Sequence, residues 1–227
     1  MTLWERYCLA ERNVAEAADA CGRSRNEVRL LAVSKTVSAE TIAELYAHGV
    51  HCFGENRAAV LAEKAKILPP DIEWHYIGPL QSNKVRKVVQ AASVIHSVDD
   101  PGLLERLDRI VGEENKKTRF LLEVSVSGEE SKGGIPLDLL DDLADLAFGC
   151  RYAQWAGLMT MAPLAAGKAE LKSIFGKLAD ERDRLQQRFA RALPLLSMGM
   201  SGDYREAIAC GSTIVRLGTC IFSDKGE

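Results

Sequence analysis

VRLLAVSK, residues 28–35, decides how the chain is read. Apart from Arg29, positions 28–33 are an unbroken apolar run, the composition of a strand buried on both faces of a parallel sheet, and Ser34 and then a lysine follow it. Upstream, Leu3, Tyr7, Ala10, Val14, Ala17 and Cys21 recur at helical spacing, and Gly22 follows as a left-handed stop. A helix therefore precedes the first strand. Downstream, Ser38 is placed to cap a second helix that closes at Gly49.

The alternation then continues. HCF (51–53) precedes a helix over about 56–69, and EWHYI (73–77) precedes one starting near Ser82. SVIHSV (93–98) leads into PGLLERLDRIV (101–111), where Pro101 suits a first helical turn and Leu103, Leu104, Leu107, Ile110 and Val111 share a face. RFLLEVSV (119–126) leads to a helix carrying Leu139, Leu140, Leu143, Leu146 and Ala147, with its stop at Gly149. QWAGLMT (154–160) leads to one carrying Leu171, Ile174, Phe175, Leu178, Leu185 and Phe189. PLLSM (194–198) and TIVRLG (213–218) complete about eight strands, with a short helix over 203–210 between them. No repeat of fixed period, low-complexity tract or linker interrupts the pattern. The predicted fold is α/β: a single-domain (β/α)8 TIM-type barrel over residues 1–227 with an extra N-terminal helix, which takes the place of the helix expected after the eighth strand. An open doubly wound sheet is the alternative, and the lack of a G-x-G-x-x-G turn after the first strand weighs against its nucleotide-binding form.

A formal net charge of -3 and a pI near 5.9 give no basic field for nucleic acid or anionic lipid. The N-terminus carries Glu5 and Arg6 where a signal peptide would need an apolar run, no stretch reaches membrane-spanning length, and six cysteines are scattered without a C-x-x-C pair. A cytoplasmic protein with reduced thiols that handles small molecules is expected.

In a barrel, residues just past the C-terminal ends of the strands face the site. Those positions hold Lys35; Glu55, Asn56 and Arg57; Gly78 and Gln81; Ser97 and Asp99; Ser125 and Ser127; Met159 and Thr160; Ser201; and Gly218 and Thr219. Lys35, at the end of a buried strand, is expected to be partly dehydrated, which favours the neutral amine that can form an imine with an aldehyde; a lysine that snorkels to solvent is the plainer reading. SMGMSGD (197–203) and RLGT (216–219) follow the seventh and eighth strands, where barrels often bind phosphate, so Ser201, Gly202, Gly218 and Thr219 are candidates. Ordinary turns would explain either segment alone. Arg216 interrupts an apolar strand and needs an acceptor, either a carboxylate such as Asp99 or Glu55 or the pyridine nitrogen of a cofactor. His48, His51 and Cys52 straddle a helix end and read as structural rather than zinc-binding. NKVRK (83–87) reads as a solvated helix face, GEESKGGI (128–135) as a mobile strand-to-helix loop, and Met159, Met161, Met198 and Met200 as filling the mouth of the core.

AVSKT (32–36), FGENR (53–57), HYIGPLQSNK (75–84), HSVD (96–99), GEESKGGI, GLMTMAP (157–163), LSMGMSGDYREAI (196–208) and GSTIVRLGTCIF (211–222) together resemble the pyridoxal phosphate homeostasis protein family, in order, from about residue 28 to 222. That family is similar to the barrel domain of alanine racemase. The resemblance implies pyridoxal 5'-phosphate (PLP) held as a Schiff base on Lys35, phosphate contacts from Ser201, Gly202, Gly218 and Thr219, Arg216 near the pyridine nitrogen and Asn56 on the cofactor's side. It implies a non-catalytic monomer serving vitamin B6 homeostasis and, indirectly, amino-acid homeostasis, with other B6 vitamers and PLP-dependent apo-enzymes as partners. Two positions depart from the family: Ser125 stands where it tends to carry asparagine, and Ser223 where a glycine usually follows the phenylalanine. A racemase-like PLP enzyme and a barrel that binds a sugar phosphate without PLP are the competing readings; racemisation needs an acid/base on each face of the substrate, and only Lys35 is evident.

Overall fold

The computed structural model describes residues 1–127 and 133–223. Eight parallel strands follow one another around a ring: β1 (Arg29–Val33), β2 (Cys52–Glu55), β3 (Glu73–Tyr76), β4 (Val94–Val98), β5 (Arg119–Ser125), β6 (Gln154–Met159), β7 (Leu195–Ser197) and β8 (Ile214–Leu217). The ring closes where β1 pairs with β8, Arg29 opposite Ile214 and Leu31 opposite Arg216. Closure decides against the open sheet and leaves no unpaired edge. The two-residue strand Ile135–Pro136 pairs with the end of β5, outside the ring.

Around the ring stand α1 (Leu3–Asp19), α2 (Ala39–Ala47), α3 (Ala58–Ile67), α4 (Val85–Val89), α5 (Pro101–Glu113), α6 (Leu140–Phe148), α7 (Lys168–Phe189), α8 (Tyr204–Ala209) and α9 (Thr219–Phe222). Their starts follow from local chemistry. Thr2 and Glu5 form a capping box on α1, Ser38 accepts from Thr41 N–H at α2, and Asp100 accepts from Leu103 N–H with Pro101 beginning α5. The helix expected from Ser82 begins as a 3-10 turn, Ser82–Lys84, before α4. The stripe expected on α6 is rotated: Leu140, Leu143, Ala144 and Ala147 are buried, whereas Leu139 and Leu146 are exposed. Leu139 lies in a 3-10 turn ahead of the helix, so the periodicity begins one residue later than the leucines suggest.

Alternation along each strand divides the interior. Leu30, Ala32, Phe53, Trp74, Ile95, Phe120, Leu122, Leu196 and Val215 join the helices in one continuous apolar core, while Leu121, Ala156 and Met159 form a separate cluster. α1 packs against α8 and against α9, the one-turn helix that follows the last strand: Arg6 Nε donates to Ile221 O at 2.8 Å, and just beyond α1 Arg23 Nη1 donates to Ile208 O at 2.8 Å and Ser212 O at 2.9 Å. Among the described residues no helix is long and apolar enough to cross a membrane, and all six cysteines are free.

Two glycines give opposite predictions. At Gly157 in β6, φ is +155° and an added Cβ would lie 1.7 Å from Leu195 O on β7; Gly157→Ala should cost about 2–4 kcal/mol, because a strand has to move. At Gly176, inside α7, nothing lies within 4 Å of such a Cβ, and Gly176→Ala should stabilise by about 1 kcal/mol. Urea unfolding of both variants checks the pair, and a mild effect at Gly157 would contradict the strand packing.

Candidate functional site

A cavity of about 760 Å³ opens at the C-terminal ends of the strands. Lys35, Asn56, Ser201, Gly202, Arg216, Gly218 and Thr219, all seven of the site residues predicted from sequence, lie on its wall. Ile77, Met161, Met200 and Phe222 supply apolar surface around them.

The first wall is built where β1 and β2 end. Ser34, not Lys35, takes the last buried position, its Oγ donating to Gly54 O at 3.2 Å. Lys35 is exposed at the cavity, so the dehydration expected of it is not found; the chain turns outward one residue earlier than the apolar run suggests. Behind it lies a buried ion pair that the sequence pattern did not reveal. Lys64 Nζ, on α3, donates to Glu55 Oε1 at 2.8 Å and to Ser34 O at 2.9 Å, with Glu55 fully buried. Glu55 Oε2 accepts from Asn56 N–H at 3.2 Å, and Arg57 Nη2 donates to Lys35 O at 3.3 Å. Four charged or polar groups thus hold the backbone on either side of Lys35 and Asn56. Asn56 Oδ1 is buried and has no hydrogen-bond partner among the described residues, which marks a position where an incoming donor would be favoured. The signal for Lys64 was its phase, three residues after Leu61 and six after Ala58 on the buried face of α3.

The second wall comes from the loops after β7 and β8. Gly199 turns at φ +96°, Met200 O accepts from the N–H groups of Asp203 and Tyr204, and Asp203 Oδ1 accepts from Met200 N–H. Asp203 therefore braces the loop and does not cap α8 with its side chain. The N–H groups of Ser201, Gly202 and Thr219 have no acceptor among the described residues, and Gly218 passes so near β1 that a Cβ would lie 3.1 Å from Val33 O. Backbone donors grouped this way suit an anion.

Arg216 forms the floor, 5% exposed. Neither Asp99 nor Glu55 receives it: Nη1 donates to Ser197 O at 2.9 Å and Ser197 Oγ at 2.7 Å, and Nη2 donates to Thr160 O at 3.0 Å. Glu55 is taken up by Lys64, and Asp99 Oδ2 accepts from Gly134 N–H at 3.1 Å. Burial pushes the guanidinium down to about 10, against the charges of Glu123 and Asp203, so it remains cationic at neutral pH. Among the described residues three of its N–H groups find acceptors and two do not, on a side chain that lines the cavity. Nearby, burial and then the charge of Asp99 push Glu123 up to about 7.

Below Arg216 the barrel holds two histidines that the sequence pattern did not single out. His96 Nδ1 lies 2.9 Å from Ser197 Oγ, His96 Nε2 lies 2.8 Å from His75 Nδ1, and His75 Nε2 lies 3.3 Å from Glu73 Oε1. The signal was a histidine within an otherwise strand-forming segment in each of EWHY and SVIHS. Cys52 Sγ approaches His75 Nε2 at 3.5 Å, but Arg29 and Arg119 both hold Glu73, at 2.7 and 2.6 Å, and two guanidiniums oppose a cation there. His48 stacks on Trp4 and His51 pairs with Asp71, so these residues do not form a zinc site with Cys52. Met159 and Met198 are buried, whereas Met161 and Met200 line the cavity. The loop 128–132 lies outside the described residues.

Residues 10–225 match the family model "Alanine racemase, N-terminal domain". The chain is 38% identical over 226 residues to the pyridoxal phosphate homeostasis protein of Aquifex aeolicus, 99% of each chain. It is 37% identical to that of Escherichia coli K12, over 92% of this chain and 91% of the relative. The chain belongs to the pyridoxal phosphate homeostasis protein family. Among solved structures, PipY of Synechococcus elongatus with PLP bound is 39% identical, with a TM-score of 0.81 over 92% of this chain and 100% of PipY. Alanine racemase of Corynebacterium glutamicum shares the fold at 14% identity and a TM-score of 0.71, this chain spanning 59% of its length. The barrel with its N-terminal helix is thus the architecture of this pyridoxal phosphate homeostasis protein family member, and the larger racemase contains a similar one.

Two predictions follow from the buried charges. Lys64→Met leaves Glu55 unpaired and should cost about 3–5 kcal/mol, most of it regained in Lys64→Met/Glu55→Gln, as read by denaturant unfolding. His75 and His96 are held below the ordinary histidine range by burial, His96 further by the charges of His75, Arg216 and Arg119. Unfolding lets both protonate near pH 6.5, so the stability they contribute is present above that pH and is lost as pH falls below it. Measured relative to a His75→Asn variant, which shares the opposite contribution of Glu123, the wild-type unfolding midpoint should drop between about pH 7.5 and 5; a relative midpoint that rises there would contradict the neutral pair.

Proposed function

We propose that this chain is a non-catalytic PLP carrier in B6 homeostasis, holding the cofactor as a Schiff base on Lys35. The observation that carries this reading is the convergence, on one cavity, of an amine, two loops with free N–H groups and a buried guanidinium. PLP fits that set: Asn56 Oδ1 lacks a donor, and Arg216 has two N–H groups left for the ring nitrogen. Ser201, Gly202, Gly218 and Thr219 would bind its phosphate, and Asn56 would contact its polar edge. When bound, PLP supplies an aldehyde for Lys35 and a ring that withdraws electrons. A cationic arginine at that ring would keep its nitrogen unprotonated and weaken the withdrawal, which suits holding PLP or only limited chemistry.

Support for a non-catalytic role comes from the wall itself. Asp203 is the one carboxylic acid on it among the described residues, and its Oδ1 accepts from Met200 N–H, so we assign it to bracing the loop and not to proton transfer opposite Lys35. We place the protein in the cytoplasm as a single-domain monomer over residues 1–227. Its partners would be PLP, other B6 vitamers and PLP-dependent apo-enzymes, and its effect on amino-acid homeostasis indirect.

Borohydride reduction of the PLP-loaded protein, followed by peptide mapping, should place the pyridoxyl label on Lys35. Lys35→Ala should abolish the imine absorbance, and Arg216→Ala should retain some PLP with an altered spectrum. Label on another lysine, or none, would overturn the carrier; steady α-proton exchange of an amino acid in deuterated water would replace it with the racemase reading.

A further inference from the structure

The interior of the barrel carries a line of polar groups from Arg216 to the opposite mouth, and the direction of each hydrogen bond in it can be worked out. An arginine only donates. Ser197 Oγ accepts from Arg216 Nη1 at 2.7 Å, and its own proton is available to His96 Nδ1 at 2.9 Å. His96 then carries its proton on Nε2 and donates it to His75 Nδ1 at 2.8 Å. His75 in turn carries its proton on Nε2, facing Glu73 Oε1 at 3.3 Å.

The far end has a fixed role too. The hydrogen bond from His75 and the charges of Arg29 and Arg119 hold Glu73 down to about 2, against a smaller contrary effect of burial, so it is an acceptor throughout the neutral range. Reversing the line would aim the Nε2 lone pair of His75 at that carboxylate. Adding a proton would put a charge on a fully buried ring, which burial already opposes at both histidines. The acceptor-only carboxylate at the far end, with burial opposing a second proton on either ring, therefore selects this arrangement over its reverse, in which His75 Nε2 would accept only from the weak Cys52 Sγ–H donor at 3.5 Å.

We propose that Glu73, His75, His96 and Ser197 form a hydrogen-bond relay of fixed polarity that positions the Arg216 guanidinium under the cavity. His75 and His96 are positioning residues: neither is on the cavity wall, and both act through Ser197. The polarity turns a lone pair of Ser197 Oγ toward Arg216, beside the carbonyl oxygens of Ser197 and Thr160, and so fixes which N–H groups remain for a ligand. The relay itself does not require PLP; its consequence for the cofactor rests on the carrier reading above.

Nitrogen NMR of the histidine rings in the protein without PLP, near neutral pH, tests the polarity. Both His75 and His96 should show protonated Nε2 and bare Nδ1, and a protonated Nδ1 on either would overturn the relay. Ser197→Ala and the more remote His75→Asn then test positioning with PLP loaded. PLP should be held about tenfold more weakly, the loss expected for one hydrogen bond to a charged group, with the imine absorbance shifted in the direction seen for Arg216→Ala while borohydride still labels Lys35. Wild-type affinity and spectrum in either folded variant would overturn the positioning role. Absence of label in the wild type would sink the carrier reading alone and leave the ring-nitrogen result standing.

Discussion

The pairing of β1 with β8 is the constraint on which the rest of the structure depends. It sets Leu31 against Arg216 and Ala32 against Leu217, and so brings the end of the lysine-bearing strand beside the strand that carries the arginine. Gly218 meets β1 at Val33 because of this register, and the loop leading to Thr219 reaches the same mouth as Lys35. An open sheet would put those two strands where nothing forces them together. Closure is thus both the source of stability, through a ring with no edge, and the device that assembles a cavity from residues nearly the whole chain apart.

Closing the ring also traps polar groups, and the chain has met that cost in two ways. Lys64 and Glu55 neutralise each other, and Lys64 donates a second hydrogen to Ser34 O, so the pair ties α3, β1 and β2 into one support behind Lys35. Among the described residues Arg216 has no such counter-ion in contact. Its charge is spread over two backbone carbonyls and a serine, and the serine is oriented by two neutral histidines that end on Glu73. A carboxylate directly on Arg216 would satisfy it completely; neutral acceptors satisfy it in part and leave donors for a ligand. The two supports differ accordingly, one rigid and closed, the other polar and directed at the cavity.

Much of this architecture could be read from local pattern. The eight apolar runs, the cap at Ser38, Pro101 in the first turn of α5, the stops at Gly22 and Gly49 and the residues of the loops after β7 and β8 each depend on a few neighbouring positions, and there the physics of strand burial and helix ends is local. The errors have the same origin. Counting leucines put Leu139 and Leu146 on the buried face of α6, and extending the apolar run of β1 by one residue put Lys35 out of solvent, because neither pattern shows where the backbone turns.

The chain by itself determined the order of strands and helices, the candidates on the barrel's upper rim and the likeness to a family that handles PLP. Only the tertiary structure decided that the sheet closes, that Arg216 rests on Ser197 and Thr160 and not on a carboxylate, that Lys64 belongs to Glu55, and that His75 and His96 meet. The physical reason is register: a side chain's neighbours inside a barrel come from strands 20 to more than 100 residues away, and a shift of one residue on either strand would turn each of them to the other face.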